Sequence, residues 1–175
     1  MTDGPLLWPL IATVVVFGTM AGEASRASVN ERVLLARGAT IVPDPSFRWM
    51  RVAYPTGFLA VILEGWWRGA HWQGWAALGL AIYLLGKAVK YAAIATLGTR
   101  WSFRVLVLPE APLVSGGIYA VLRHPNYVGV AGEVIGMAMW MQAPITGTLF
   151  AVTFGFILLW RIRIEERALG LAPRA

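Results

Sequence analysis

Cysteine is absent from this 175-residue chain, which excludes disulfides, thiolate metal sites and a cysteine nucleophile. Histidine is nearly absent as well. His71 and His124 are the two present, too few for a histidine-rich centre, and no metal is expected. Charge is scarce: Asp, Glu, Lys and Arg make up 14% of the residues, against about 25% in a typical soluble domain. Most of the surface therefore cannot face water. Ahead of the first apolar run there is no basic residue, only Asp3, which argues against a cleaved signal peptide and for a retained first helix. No internal repeat or low-complexity tract interrupts the chain, so residues 1–175 are expected to form one domain.

Apolar residues are abundant, at 58%, and an integral membrane protein is the first inference. The apolar runs cover residues 6–21, 52–66, 74–97, 127–141 and 145–160. A spanning helix needs about 20 residues, with a range of about 17–25. The third run meets that length, and the first two do so with their flanks. The last two are short and are separated only by Gln142-Ala143-Pro144, which reads as a tight hairpin. The expected fold is all-α with about five transmembrane helices. Residues 1–97 would hold three of them with an amphipathic connector at 23–47; residues 98–175 would hold a loop, the short hairpin and a charged C-terminal end.

The formal charge of +6 is not gathered into a stripe that would follow a phosphate backbone, so nucleic acid is not an expected partner. It reads instead as membrane orientation. Arg26, Arg32, Arg37, Arg48 and Arg51 lie in segment 23–51, Arg100, Arg104 and Arg123 in segment 98–126, and Arg161, Arg163, Arg167 and Arg174 at the C-terminus. The other ends carry Arg68 alone. The positive-inside rule then places the N-terminus outside and the C-terminus in the cytoplasm. Trp8, Trp66, Trp67, Trp72, Trp75 and Trp140 fall at the outer ends and Trp49, Trp101 and Trp160 at the inner ends, as interfacial indoles do. Residues 23–38, with Val29, Val33 and Leu34 opposite Arg26, Asn30 and Arg37, form either an amphipathic helix on the cytoplasmic surface or a solvated basic connector.

Chemistry concentrates at two points. Arg123-His124-Pro125-Asn126-Tyr127 precedes the fourth run, and proline suits the first position of a helix. A helix start there presents unpaired N–H groups that favour an anionic ligand group; alternatively Arg123 is a flanking cation and His124 a cap. The fourth run, at ~1.5 Å per residue, reaches ~22 Å of a ~30 Å hydrocarbon core. Either its flanks extend it, or its His124 end sits below the membrane surface with loop 98–126 folded over a cavity. Glu133 lies within that run, where a carboxylate is either functional or ion-paired with Lys87, Lys90 or a terminal arginine. Lys87 and Lys90 are expected to snorkel toward the cytoplasm. Glu64 and Arg68 read as an interfacial i,i+4 pair. At the second point, Arg161 and Glu165 share a helix face, and Arg163 with Glu166 forms a neighbouring pair. Gly132 and Gly136 have a small-xxx-small spacing suited to close helix packing.

The RHPNYxG run, the short hairpin after it and the terminal Arg-Ile-Arg-Ile-Glu-Glu resemble the isoprenylcysteine carboxyl methyltransferase family, integral-membrane methyltransferases that use S-adenosyl-L-methionine. The resemblance is most specific over about residues 98–170. Asn30-Glu31-Arg32 through Gly38-Ala39, together with Gly132-Glu133, are similar to a bacterial branch associated with O-methylation of alkylpyrones and alkylresorcinols. The resemblance implies cofactor binding by His124, Pro125, Tyr127 and Gly129, with Arg161 and Glu165 as catalytic candidates. Their neighbours Arg123 and Glu166 join the cofactor-binding candidates, and Glu133 joins the catalytic ones by its place within the fourth run. The family's upstream Gly-Pro-Tyr is Gly117-Ile118-Tyr119 here.

Methyl transfer from a sulfonium needs positioning more than acid–base work. Tyr127 would face the cation, Arg161 would hold an anionic acceptor oxygen, and a phenol acceptor would need Glu165 or Glu133 as base. The expected acceptor is a lipophilic molecule entering from the bilayer, an isoprenylcysteine carboxylate or a long-chain polyketide. The alternatives are an NADPH-dependent reductase of the sterol-reductase type, a phospholipid N-methyltransferase and a non-enzymatic membrane protein.

Overall fold

In a computed structural model, residues 7–171 are described; Asp3 and Arg174, used above as markers, lie outside them. The described chain is helical: α1 (Leu7–Ala36), α2 (Ser46–Trp67), α3 (Gly74–Leu97), α4 (Pro125–Trp140) and α5 (Pro144–Ala168), with a two-residue antiparallel pairing of β1 (Thr40–Ile41) on β2 (Leu106–Val107). Three helical stretches, α1, α3 with its 3-10 extension to Arg100, and α5, are long and apolar enough to cross a membrane.

The expected break near residue 22 does not occur. α1 runs unbroken for 30 residues, about 45 Å at the usual rise, so the segment with Arg26 and Asn30 continues the first helix, up to the turn at Arg37, and is not a separate one on the surface. The reason is Glu23. It is buried and its carboxylate binds Lys87 Nζ at 2.9 Å and Lys90 Nζ at 2.6 Å, so the charge does not force the chain out of the apolar layer. The same contacts overturn the snorkelling expected of the lysines: both are buried and point inward. Gly38 then ends the helix with φ +86, a conformation that costs glycine little.

α4 starts at Pro125, as proline at the first helical position allows, and spans 16 residues. Its flanks do not lengthen it. At its far end Gln142 turns the chain with φ 52, and Pro144 opens α5. The first N–H groups of α5 are met by Glu64 from α2. Its carboxylate accepts from the backbone of Ile145 at 3.2 Å and Thr146 at 2.6 Å, from the Thr146 hydroxyl, and from Arg68 at 2.7 Å. The expected Glu64–Arg68 pair is thus present and also caps a neighbouring helix.

α3 and α4 pack backbone to backbone. A Cβ on Gly86 would lie 2.7 Å from the Gly129 carbonyl oxygen, and one on Gly136 would lie 2.3 Å from the Tyr83 nitrogen. Gly129 and Gly136 make the tight contact, with Gly132 looser at 3.1 Å from Gly86 Cα. Phe58, Tyr83, Met137, Met141, Phe150 and Phe154 fill the core between α2, α3, α4 and α5. Trp101 and Trp140 are buried at 3% and 2% exposure; they belong to the packed interior rather than to interfacial belts. Trp8 stacks on Trp72 with ring centroids 4.8 Å apart, which brings two of the expected outer-end indoles together.

Candidate active site

Loop 98–124 is the roof of the site, and α1 holds it. Asn30 donates from Nδ2 to the carbonyl oxygens of Trp101 at 2.8 Å and Gly98 at 3.1 Å. Arg104 reaches Glu31 at 3.3 Å. The Val42 N–H donates to the Val105 carbonyl at 2.9 Å, continuing the β1–β2 pairing. On the other side, Trp101 Nε1 donates to Asn126 Oδ1 at 3.2 Å, tying the roof to the first turn of α4. Gly117 turns with φ +56 against Thr96 and begins the 3-10 turn that carries Tyr119.

Beneath the roof lies a cavity of about 520 Å³, with Tyr119, Arg123, His124, Tyr127, Arg161 and Glu165 on its polar side. Leu34, Leu97, Leu113 and Leu171 line its apolar side. Pockets of this size suit a drug-sized or nucleoside-sized ligand. Two successive acids of α5 hold the start of α4. Glu166 accepts from His124 Nε2 at 3.0 Å and from Arg123 at 3.4 Å. Tyr127 donates its hydroxyl proton to Glu165, and its ring centroid lies 5.8 Å from that of His124. Arg161, one turn before Glu165, donates from Nε to the Tyr127 hydroxyl at 3.3 Å and from Nη2 to the Phe103 carbonyl at 2.7 Å, and it pairs with Asp44. Burial raises the Tyr119 phenol above its ordinary range, and the Glu165 charge adds to the rise. Tyr119 therefore stays a neutral donor at physiological pH.

Five of the residues expected in the site, Arg123, His124, Tyr127, Arg161 and Glu165, line this cavity. Glu166 acts from behind, through His124 and Arg123. Its spacing suggested a pair with Arg163; the contacts seen reach across the hairpin to the charged start of α4. Pro125 is buried at the helix start. Gly129 faces α3, where its missing side chain lets the helices touch, so packing rather than ligand contact accounts for it. Glu133 is outside the cavity lining. It is 1% exposed, accepts from the Tyr54 hydroxyl and lies 3.3 Å from Lys87 and 3.4 Å from Lys90. The structure places it in a buried ionic cluster with Glu23, Lys87 and Lys90, apart from the cavity wall that carries Arg161 and Glu165. Tyr119 and Asn126 lie in runs that the sequence singled out without giving them a role, and both line the cavity; Asp44, the partner of Arg161, was passed over. Pro43-Asp44-Pro45-Ser46 does carry a helix-start signature, yet nothing local in it points to an arginine on the last helix.

Residues 77–171 match the isoprenylcysteine carboxyl methyltransferase family, more than half of the chain and all of the hairpin. The chain belongs to this family. It is 32% identical over 165 residues to an uncharacterised Bacillus subtilis (strain 168) protein, YpbQ, with 94% of this chain and 96% of the relative covered. It is 31% identical over 102 residues to protein-S-isoprenylcysteine O-methyltransferase B of Arabidopsis thaliana, covering 57% of this chain and 51% of the relative. The mouse protein-S-isoprenylcysteine O-methyltransferase is 34% identical over 103 residues, covering 55% and 34%. The chain thus spans about half, or less, of the named enzymes that it matches. No solved structure matches it. Family membership and the apolar helices together make it a membrane methyltransferase.

Proposed function

We propose that the chain transfers a methyl group from S-adenosylmethionine to an oxygen atom of a lipophilic acceptor, at the cytoplasmic face of a bacterial inner membrane. One observation carries this reading: a single cavity joins the charged start of α4 to the Arg161–Glu165 turn of α5 and continues into an apolar wall. The donor set fits the cofactor. Arg123 and the N-terminus of α4 suit its carboxylate, Glu165 and the Tyr127 ring suit its cationic part, and the leucine side suits an apolar tail. The cofactor supplies an electrophilic methyl group.

What this chain contributes is alignment. His124 and Arg123 are fixed by Glu166, and Tyr127 by Glu165 and Arg161, so the polar groups are ordered before any ligand arrives. A carboxylate or enolate acceptor needs no base. A phenol does, and Glu165 is placed on the cavity wall to take its proton, whereas Glu133 is not. The relatives' names include isoprenylcysteine acceptors. A long-chain alkylpyrone or alkylresorcinol meets the same requirements of an oxygen head and an apolar tail. With five passes, the N-terminus outside and the C-terminus inside, the site would lie at the arginine-rich end, where loop 98–124 meets α1.

Calorimetry of the detergent-solubilised chain with S-adenosylhomocysteine and, separately, NADPH tests the cofactor. Binding of the first alone is expected; binding of NADPH alone would replace this reading with a reductase. Transfer of tritiated methyl to S-farnesylcysteine, a long-chain alkylpyrone, an alkylresorcinol or phosphatidylethanolamine then sorts the acceptors, and label on the phospholipid amine would refute the oxygen acceptor.

A further inference from the structure

Arg161 receives its carboxylate partner from far outside the hairpin. Asp44 sits in the connector between α1 and α2, and its side chain and that of Arg161 are both 4% exposed. Asp44 is itself fixed. Its Oδ1 accepts from the Ser46 N–H at 3.0 Å and from the Ser46 hydroxyl. Just upstream, the β1–β2 pairing and the Val42–Val105 hydrogen bond anchor the connector to the roof loop. On the far side of the guanidinium, Nε donates to the Tyr127 hydroxyl, which donates to Glu165. The result is a continuous polar line, Asp44–Arg161–Tyr127–Glu165. Its last three members line the cavity and Asp44 does not.

We propose that Asp44 is a positioning residue of the active site: it fixes the Arg161 guanidinium and, through it, the Tyr127 hydroxyl and the Glu165 carboxylate. Without Asp44 the buried guanidinium has Glu165, one turn along the same helix, as its nearest alternative carboxylate on the cavity wall. A shift of Arg161 toward Glu165 would take both from Tyr127. Three of the five Arg161 N–H donors are thereby met by the protein, and through them Arg161 orders the site. Asp44 precedes the stretch that matches the family, so the first half of the chain completes a site carried by the second.

This inference rests on the cavity being the cofactor site. S-adenosylhomocysteine binding is measured by calorimetry on the full chain and on Asp44→Asn, Arg161→Ala and the double variant, each with its melting temperature. Asp44→Asn is expected to bind about tenfold more weakly, the scale of one charge-assisted hydrogen bond. Arg161→Ala is expected to lose at least as much, and the double variant no more than Arg161→Ala alone. A purely structural role for Asp44 predicts additive losses in the double variant, and either that or wild-type affinity in Asp44→Asn overturns the proposal. If Asp44→Asn does not fold, Asp44→Glu carries the test. It keeps the charge and is expected to bind more tightly than Arg161→Ala; equal weakness in a folded Asp44→Glu overturns the proposal. Absence of binding by the unaltered chain refutes the cofactor reading itself, and the positioning role with it.

Discussion

Replacing Glu133 with glutamine removes one charge from a deeply buried ionic cluster. Lys87 and Lys90 there face Glu23 and Glu133 at 2.6–3.4 Å, two cations against two anions, with Tyr54 donating to Glu133. After the substitution two ammonium groups share one carboxylate, and one positive charge is left without compensation in an apolar interior. Breaking a buried pair by removing one partner costs about 3–5 kcal/mol. A lysine placed without a partner at the middle of a spanning helix costs a comparable ~2.5–3.5 kcal/mol on insertion scales. For a chain of this length each kcal/mol moves the midpoint by about 2–4 °C, so the melting temperature should fall by roughly 6–20 °C. Intrinsic tryptophan fluorescence during heating of the detergent-solubilised protein reads this directly. Adding Lys87→Met restores neutrality and should recover most of the loss. At temperatures where Glu133→Gln remains folded, S-adenosylhomocysteine should bind with nearly wild-type affinity. An unchanged melting temperature, or a double variant no better than the single, would refute the charge argument. Lost affinity in the folded protein would return Glu133 to the site.

Two further outcomes test the packing. Gly136→Ala puts a Cβ 2.3 Å from the Tyr83 nitrogen, where backbone cannot yield cheaply, and should destabilise by about 1–3 kcal/mol. Gly22→Ala, with nothing within 4 Å, should leave the thermal midpoint unchanged or slightly raised. Glu64→Ala uncaps α5 and should cost about 1–2 kcal/mol, seen in the same melts; cofactor affinity should hold, since Glu64 lies at the opposite end of α5 from Arg161.

Features that depend on neighbours in sequence were legible. Pro125 announces the start of α4, Gln142-Ala143-Pro144 the hairpin, and Glu64 and Arg68 their own pair. His124, Tyr127, Arg161 and Glu165 were expected near one another, and they are. What was not legible depends on charges meeting across distant helices. Glu23 and Arg26 read as the chain leaving the membrane, because the lysines that neutralise Glu23 come more than sixty residues later. Lys87 and Lys90 read as snorkelling for the same reason. Trp101 and Trp140 look like interfacial anchors by position, yet tertiary packing takes them inside. Gly129 lies in a motif associated with the cofactor, but its local reason is the backbone of α3.

The polar links from α1 and its connector have a consequence for where this protein can be divided. Residues 77–171, the part that matches the family, contain Lys87, Lys90, Arg104 and Arg161. Their partners Glu23, Glu31 and Asp44 all precede residue 45. Excised alone, that stretch would retain its motif but carry two lysines on one carboxylate and a buried arginine deprived of its acid. The stretch that matches the family is therefore shorter than the length that is electrically self-sufficient, and a fragment bounded by it is expected to fold poorly.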